Sequence, residues 1–360
     1  MKNLVVFIML CISFISCYAE DRDTSMKDMM NLLSQGLSVK KVIPINIQFM
    51  KKNKYLLFER NAPLNRMVVH YGSEKTKTIS TNCVSSIISS NGILQKSEIL
   101  NNIDMFKITK IYKVNAKYII VGYEQNLTGY PIHQAAVMQV DSMGKTLWKT
   151  IVGEGKSYSE AMVKTLDSGY MIVGHDFIWQ SADKSRGNYQ VMVSKVDQNG
   201  TRIWTKHYSL DGSFAKGRNI EKTNDGGFII VGETHSKAWI FKIDKLGNKV
   251  WETFFDTLKT LDFAYAVNNN FRNGYIILGK SNGTGFGKDK SWIMKVNYLG
   301  KVEWSTYFDI GEPCDLQTVN QTQVNEFSIT AFLPWTQTIL FMSIDAKGSI
   351  VSKHLVKVKH

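Results

Sequence analysis

Trp179 and Trp335 stand outside a tryptophan register that recurs through the chain, and each has polar or cationic residues close by in sequence. Around them, in segments rich in turn-forming residues, lie Tyr130, His133, His175, Lys184, Arg186, His235, Phe286, Lys288 and Lys290. Indole and phenol rings stack on the flat face of a sugar, while a neighbouring lysine or arginine holds an anionic group by charge-assisted hydrogen bonds. That pattern points to ligand binding. The opposing reading is that each ring covers an apolar gap beneath its own loop.

Residue combinations that make a catalyst are harder to find. The sequence has no G-x-S-x-G elbow, no H-E-x-x-H, no P-loop and no nucleophilic cysteine beside a histidine. No catalytic residue is therefore assigned, and neither a metal nor another cofactor is expected. The seven histidines are scattered, and no C-x-x-C pair offers zinc-ligand spacing. An enzyme acting on a carbohydrate or small alcohol stays as an alternative, with Glu160 or Asp262 as acidic groups near the centre of the fold.

Lysine and arginine number 44 against 31 aspartate and glutamate, a formal charge of +13. Such an excess suits anionic glycans, lipopolysaccharide or phospholipid headgroups, although no long basic run is present and a solvated basic surface needs no partner. Lys2, the apolar stretch Leu4 to Ser16 and then Cys17-Tyr18-Ala19 before Glu20-Asp21 read as a signal peptide over 1–19. Export to the periplasm or beyond follows, and nucleic acid is not expected as a partner. Phe14-Ile15-Ser16-Cys17 also resembles a bacterial lipobox, in which case Cys17 carries the lipid of an envelope lipoprotein. No later segment is long and apolar enough to form a transmembrane helix.

The elements that must position these residues announce themselves by repetition. One block reads AKYIIVGYE at 116–124, SGYMIVGHD at 168–176, GGFIIVGET at 226–234 and NGYIILGKS at 273–281, with weaker copies at 53–61 and 325–333. A second block is an apolar run, a D-x-x-G turn and a tryptophan four residues beyond the glycine, ending at Trp148, Trp204, Trp251 and Trp304. Turn glycines fall at Gly92, Gly144, Gly200, Gly247, Gly300 and Gly348, marking six units. In the third unit, strands are expected near 160–165, 170–175, 190–196 and 202–207. Four antiparallel strands in about fifty residues describe a propeller blade.

The fold expected is an all-β, six-bladed β-propeller over 43–360, preceded by a 20–42 segment with a short amphipathic helix at 24–35. The four register tryptophans are assigned to architecture. The D-G-G-F-I-I-V-G and W-I-F-K-I-D…G…W motifs resemble the repeats of secreted bacterial β-propellers and, more distantly, the tryptophan-docking propellers of quinoprotein dehydrogenases and of outer-membrane assembly lipoproteins. The resemblance covers about 43–357 and implies a fold. Nothing matches the quinone-contacting residues, so no redox role follows.

With the short turns on one face, the long connections emerge on the other, which becomes the candidate binding face. Cys83 and Cys314 fall in the first and last units, which ring closure makes neighbours, so one disulfide between them is possible; two separate thiols is the other reading. The function expected is a non-enzymatic binding or scaffold protein for an envelope component, a glycan or a protein, of unknown oligomeric state.

Overall fold

A computed structural model describes residues 42–50, 54–61, 80–89, 94–104, 107–126, 132–181, 186–256, 261–271, 274–282, 290–323, 325–336 and 338–357. The expected signal peptide, lipobox and N-terminal helix lie outside these residues, as do the side chains of 42–104. The described strands all belong to one compact unit.

The strands pair into six four-stranded antiparallel sheets, each formed by consecutive chain. The first holds β1 (Val42–Met50), β2 (Lys54–Asn61), β3 (Ser80–Ser89) and β4 (Leu94–Asp104). The second holds β5 (Lys107–Val114), β6 (Lys117–Asn126), β7 (Ile132–Val140) and β8 (Thr146–Ile151). The third holds β9 (Ser157–Lys164), β10 (Tyr170–Trp179), β11 (Gly187–Val196) and β12 (Arg202–Tyr208). The fourth holds β13 (Ala215–Lys222), β14 (Phe228–Thr234), β15 (Lys237–Ile243) and β16 (Lys249–Phe255). The fifth holds β17 (Leu261–Phe271), β18 (Gly274–Asn282), β19 (Lys290–Val296) and β20 (Val302–Phe308). The sixth holds β21 (Asp315–Gln323), β22 (Glu326–Leu333), β23 (Thr338–Asp345) and β24 (Ile350–Lys357).

Leading strands lie side by side in sequence order, β5 against β9, β9 against β13, β13 against β17 and β17 against β21, which makes them the inner strands of a β-propeller. Packing is described for five blades, β5–β8 through β21–β24, one fewer than the six units read from the sequence. The sheet β1–β4 adds a sixth set of paired strands, with β1 beside both β5 and β21. In each blade the second strand is flanked by sheets on both sides, so it reads as an unbroken apolar run rather than an alternating one; every residue of β14 is buried.

The D-x-x-G turn is built identically in five sheets. The side chain of Asp141, Asp197, Asp244, Asn297 or Asp345 accepts from the backbone N–H groups two and four residues on, at 2.7 to 3.0 Å. The glycine that closes each turn then meets the preceding blade. Trp148 on β8 lies against Gly200 of the next blade, Trp204 against Gly247, and Trp251 against Gly300, with the Trp251 indole donating to the Tyr298 carbonyl at 3.0 Å. The fourth register tryptophan, Trp304, packs on Phe327 of the following blade, ring centroids 5.5 Å apart. Each therefore wedges an outer strand against its neighbour.

Cys314 is a free thiol, 3% exposed, whose pKa burial raises. The candidate bridge to Cys83 is not formed. Cys314 immediately precedes β21, the inner strand of its blade, whereas Cys83 sits on β3, two strands outward in its own sheet. Two strand spacings amount to roughly 10 Å, beyond the roughly 7 Å between Cα atoms that a disulfide spans.

Candidate functional site

Every inner strand breaks its register with the second strand at the same place. Between Ile108 and Lys110, Ser159 and Ala161, Gly217 and Asn219, Ala264 and Ala266, and Leu316 and Thr318, one residue is left without a cross-strand partner. The bulged residues are Thr109, Glu160, Arg218, Tyr265 and Gln317, and the same shift in the first sheet skips Ile45. A bulge bends the strand and re-aims the extra side chain. The side chains of Thr109, Glu160, Arg218, Tyr265 and Gln317 stay partly exposed on the strand nearest the axis.

This bulge explains the glycine of the I-V-G block. Gly174 pairs with Ser159 beside the bulge, and a Cβ there would fall 1.8 Å from the Tyr158 carbonyl oxygen. Gly232 meets the Lys216 carbonyl in the same way. The glycine is therefore required by the close approach of the inner strand, and that approach in turn creates the ring of axial side chains.

Consecutive members of the ring interact. Glu160 lies 3.8 Å from His175 Nδ1 and within electrostatic reach of Lys110 and Arg218. Arg218 donates to Glu233 at 3.1 and 3.4 Å and sits 5.7 Å from the centre of the Tyr265 ring. Asn219, the next residue along β13, donates to the Tyr265 carbonyl at 3.2 Å. Burial lowers the Lys110 pKa to about 8, with Glu160 partly offsetting it. Burial, with Arg218 and Lys216 adding to it, holds the His175 pKa well below its ordinary value, so the imidazole is neutral at pH 7. His175 Nδ1 and Arg218 Nε are buried without a hydrogen-bond partner.

A band of aromatic rings leads from this ring toward the rim. Tyr158 stacks on His175 at 4.8 Å, and Tyr189 meets His175 edge-on at 5.2 Å. Phe177 continues to Tyr189 at 5.3 Å and to Trp179 at 4.9 Å. On the preceding blade, Tyr123 and His133 close on Tyr158, with a 3.0 Å hydrogen bond between His133 Nδ1 and the Tyr158 hydroxyl. On the following blade Phe214 approaches Tyr189, and Lys216 lies over both. Lys107 lies over Tyr123. Trp179 is half exposed at the outer end, paired with Gly187, and Arg186 adjoins it on the surface.

Of the residues expected from sequence, His133, His175 and Trp179 join this ridge, and Arg186 borders it. Trp335 is exposed between β22 and β23, three blades further round, and does not join them. His235 occupies a two-residue turn between β14 and β15, in a left-handed conformation, where a long loop was expected. Lys290 opens β19, its Nζ 6.0 Å from the centre of the Tyr307 ring. Tyr130, Lys184, Phe286 and Lys288 lie outside the described residues. Glu160 lines the axis, but Asp262 is fully buried and accepts from Ser281, so the two acidic candidates do not converge. Among the described residues no cluster of three metal-ligating side chains occurs.

Sequence reasoning missed Thr109, Arg218, Tyr265 and Gln317 of the ring with Lys110 beside it, and Tyr123, Tyr158, Phe177, Tyr189, Phe214 and Lys216 of the ridge. One signal was present: Glu160, Arg218 and Tyr265 each lie fourteen residues before the repeat glycine of their unit.

No family profile and no curated protein matches the sequence. Among solved structures, a protein from Lactobacillus plantarum is similar with a TM-score of 0.50 at 13% identity, over 87% of this chain and 85% of that one. A protein of unknown function from Bacteroides caccae gives 0.48 at 9% identity, over 77% and 91%. The β-propeller domain of the trilobed protease from Pyrococcus furiosus, with its open velcro topology, gives 0.41 at 11%, over 86% and 84%. At these identities the likeness is one of fold.

Proposed function

We propose that the protein is an exported, six-bladed binding propeller, with β1–β4 as the sixth blade, and that its aromatic ridge takes an anionic glycan of the cell envelope. The carrying observation is the ridge itself. Rings from three adjacent blades form a continuous aromatic band with Lys107 and Lys216 over it and a half-exposed indole at its end. Aromatic faces bind sugar C–H surfaces and the cations bind acidic substituents. A basic chain adds long-range attraction for such a ligand. Of the two acidic residues offered for the enzymatic alternative, Glu160 lines the axis and Asp262 is enclosed in the wall.

The test is a glycan array on the intact protein followed by titration of the best binder. Trp179→Ala is expected to weaken binding about tenfold or more, while Trp335→Ala leaves it unchanged. Equal binding by Trp179→Ala and the parent would remove the ridge from consideration.

A further inference from the structure

The ridge ends at His175, and there the chemistry changes from aromatic to ionic. Resting on the reading of the ridge as a glycan surface, we infer that the ring of bulge residues is a subsite for the terminal sugar of that glycan, and that this sugar carries a carboxylate.

Three observations carry the inference. First, inner strands surround the axis, so the end of a chain can enter where an internal segment cannot. Second, the side chains delivered by the bulges suit a polyhydroxylated ligand: Thr109, Tyr265 and Gln317 both donate and accept, and Glu160 accepts. They differ from blade to blade while the surrounding repeat stays the same, as a site for one asymmetric ligand requires. Third, the charges are unequal. The described inner strands carry six lysines and one arginine against four carboxylates, Glu160, Glu221, Asp262 and Asp315, with Glu233 on the covering strand. Glu233 occupies a single nitrogen of the Arg218 fork, and no other carboxylate lies within ion-pair distance of that guanidinium among the described residues. A planar acid group fits such a fork, and the surplus of cations favours it.

His175 supplies an independent observation at the same place. It is only 5% exposed, its Nδ1 has no hydrogen-bond partner, and that atom faces Glu160 from 3.8 Å. Buried polar atoms are rarely left so. A sugar hydroxyl donated to Glu160 draws the imidazole into the same network. The ring therefore orients the terminal residue, and the ridge holds the residues that follow it.

Calorimetric titration of the intact protein with oligosaccharides ending in glucuronate, galacturonate or sialate, each beside its neutral counterpart, tests this. The parent is expected to prefer at least one acidic member by about tenfold or more. Arg218→Gln is expected to abolish that preference, read as the ratio of acidic to neutral Kd within the same variant. Should Arg218→Gln unfold because Glu233 is left unpaired, Lys216→Met, at the mouth of the ring, is expected to reduce the preference in a folded protein. Binding of all pairs without preference, with Trp179→Ala abolishing it, would overturn the axial subsite and leave the ridge standing. Binding of no member would overturn the ridge and the subsite together.

Discussion

The indole of Trp148 lies against Gly200 of the next blade so closely that a Cβ on the glycine would fall 2.5 Å from its ring carbons. Gly200 also has a φ of +87°. The glycine thus serves two masters, the turn that needs a left-handed residue and the wedge that needs a flat floor. Gly200→Ala is expected to cost about 3 kcal/mol through strain and overpacking together. In a Trp148→Ala background the same change should cost only about 1 kcal/mol, the conformational part. Denaturant unfolding of the four proteins measures the coupling, and additive effects would show that the two residues do not touch in solution.

The bulge glycines carry a different constraint. Gly174→Ala places a methyl on the Tyr158 carbonyl and is expected to destabilise by about 3 kcal/mol, at the upper end for an overpacked site. Gly311, at φ +89° with nothing within 4 Å of the place a Cβ would take, is the control. Gly311→Ala should cost about 1 kcal/mol. Similar losses at the two sites, read by thermal unfolding, would argue against the tight bulge.

Lys110 gives a pH signature. Its folded pKa of about 8 lies below the ordinary 10.5, so between these values the unfolded chain binds more protons than the folded one. Its burial therefore destabilises fully below pH 8 and progressively less above it. The Cys314 thiol, raised by burial from 9.0, opposes the gain from about pH 9, and Tyr112, Tyr208 and Tyr275, whose pKa values are also raised, oppose it once free tyrosine ionises near pH 10. The rise due to Lys110 should therefore stand clearest between pH 8 and about 9. In Lys110→Met that rise should flatten, with higher stability at pH 7; an unaltered slope would place the titration elsewhere.

Two hairpin carboxylates give the opposite sign. Hydrogen bonds from Lys195 and Thr165 hold the Asp167 pKa near about 2. At Asp225 burial acts the other way, but Lys242 and Thr223 outweigh it and the value is again about 2. Stability from these groups is present above pH 4 and is lost as pH falls from about 4 to about 2. Both side chains are more than half exposed, so solvent screening keeps each contribution below about 1 kcal/mol. Asp167→Asn with Asp225→Asn should flatten the acid limb of the stability profile, and an unchanged limb would refute the assignment.

Blade architecture was legible because a blade is local: four strands, two tight turns and a wedge all recur within one unit. Observed strands in the third unit start and stop within a few residues of those expected, extending to Trp179 on β10 because the long-loop end keeps pairing with β11. The ring was hidden because a bulge is marked by the glycine opposite it, not by the bulged residue, whose type varies from Glu160 to Arg218 to Tyr265. Asp262 misled because strand alternation turns it away: three residues before Tyr265, it faces the wall. Ridge members His133, His175 and Trp179 were found by type. Tyr123, Tyr158, Phe177 and Tyr189 were not, since stacking across blades leaves no spacing within one repeat. The disulfide failed on radius, which sequence order does not encode.

No blade borrows a strand from another, since all four strands of each sheet come from one uninterrupted stretch of chain. Duplicating or deleting one such stretch in the gene would add or remove a whole sheet without orphaning a backbone edge. Only the width of the bore would change, and with it the number of side chains presented to whatever enters. Ligand choice in such a scaffold can evolve by changing the size of the mouth as well as by altering its teeth.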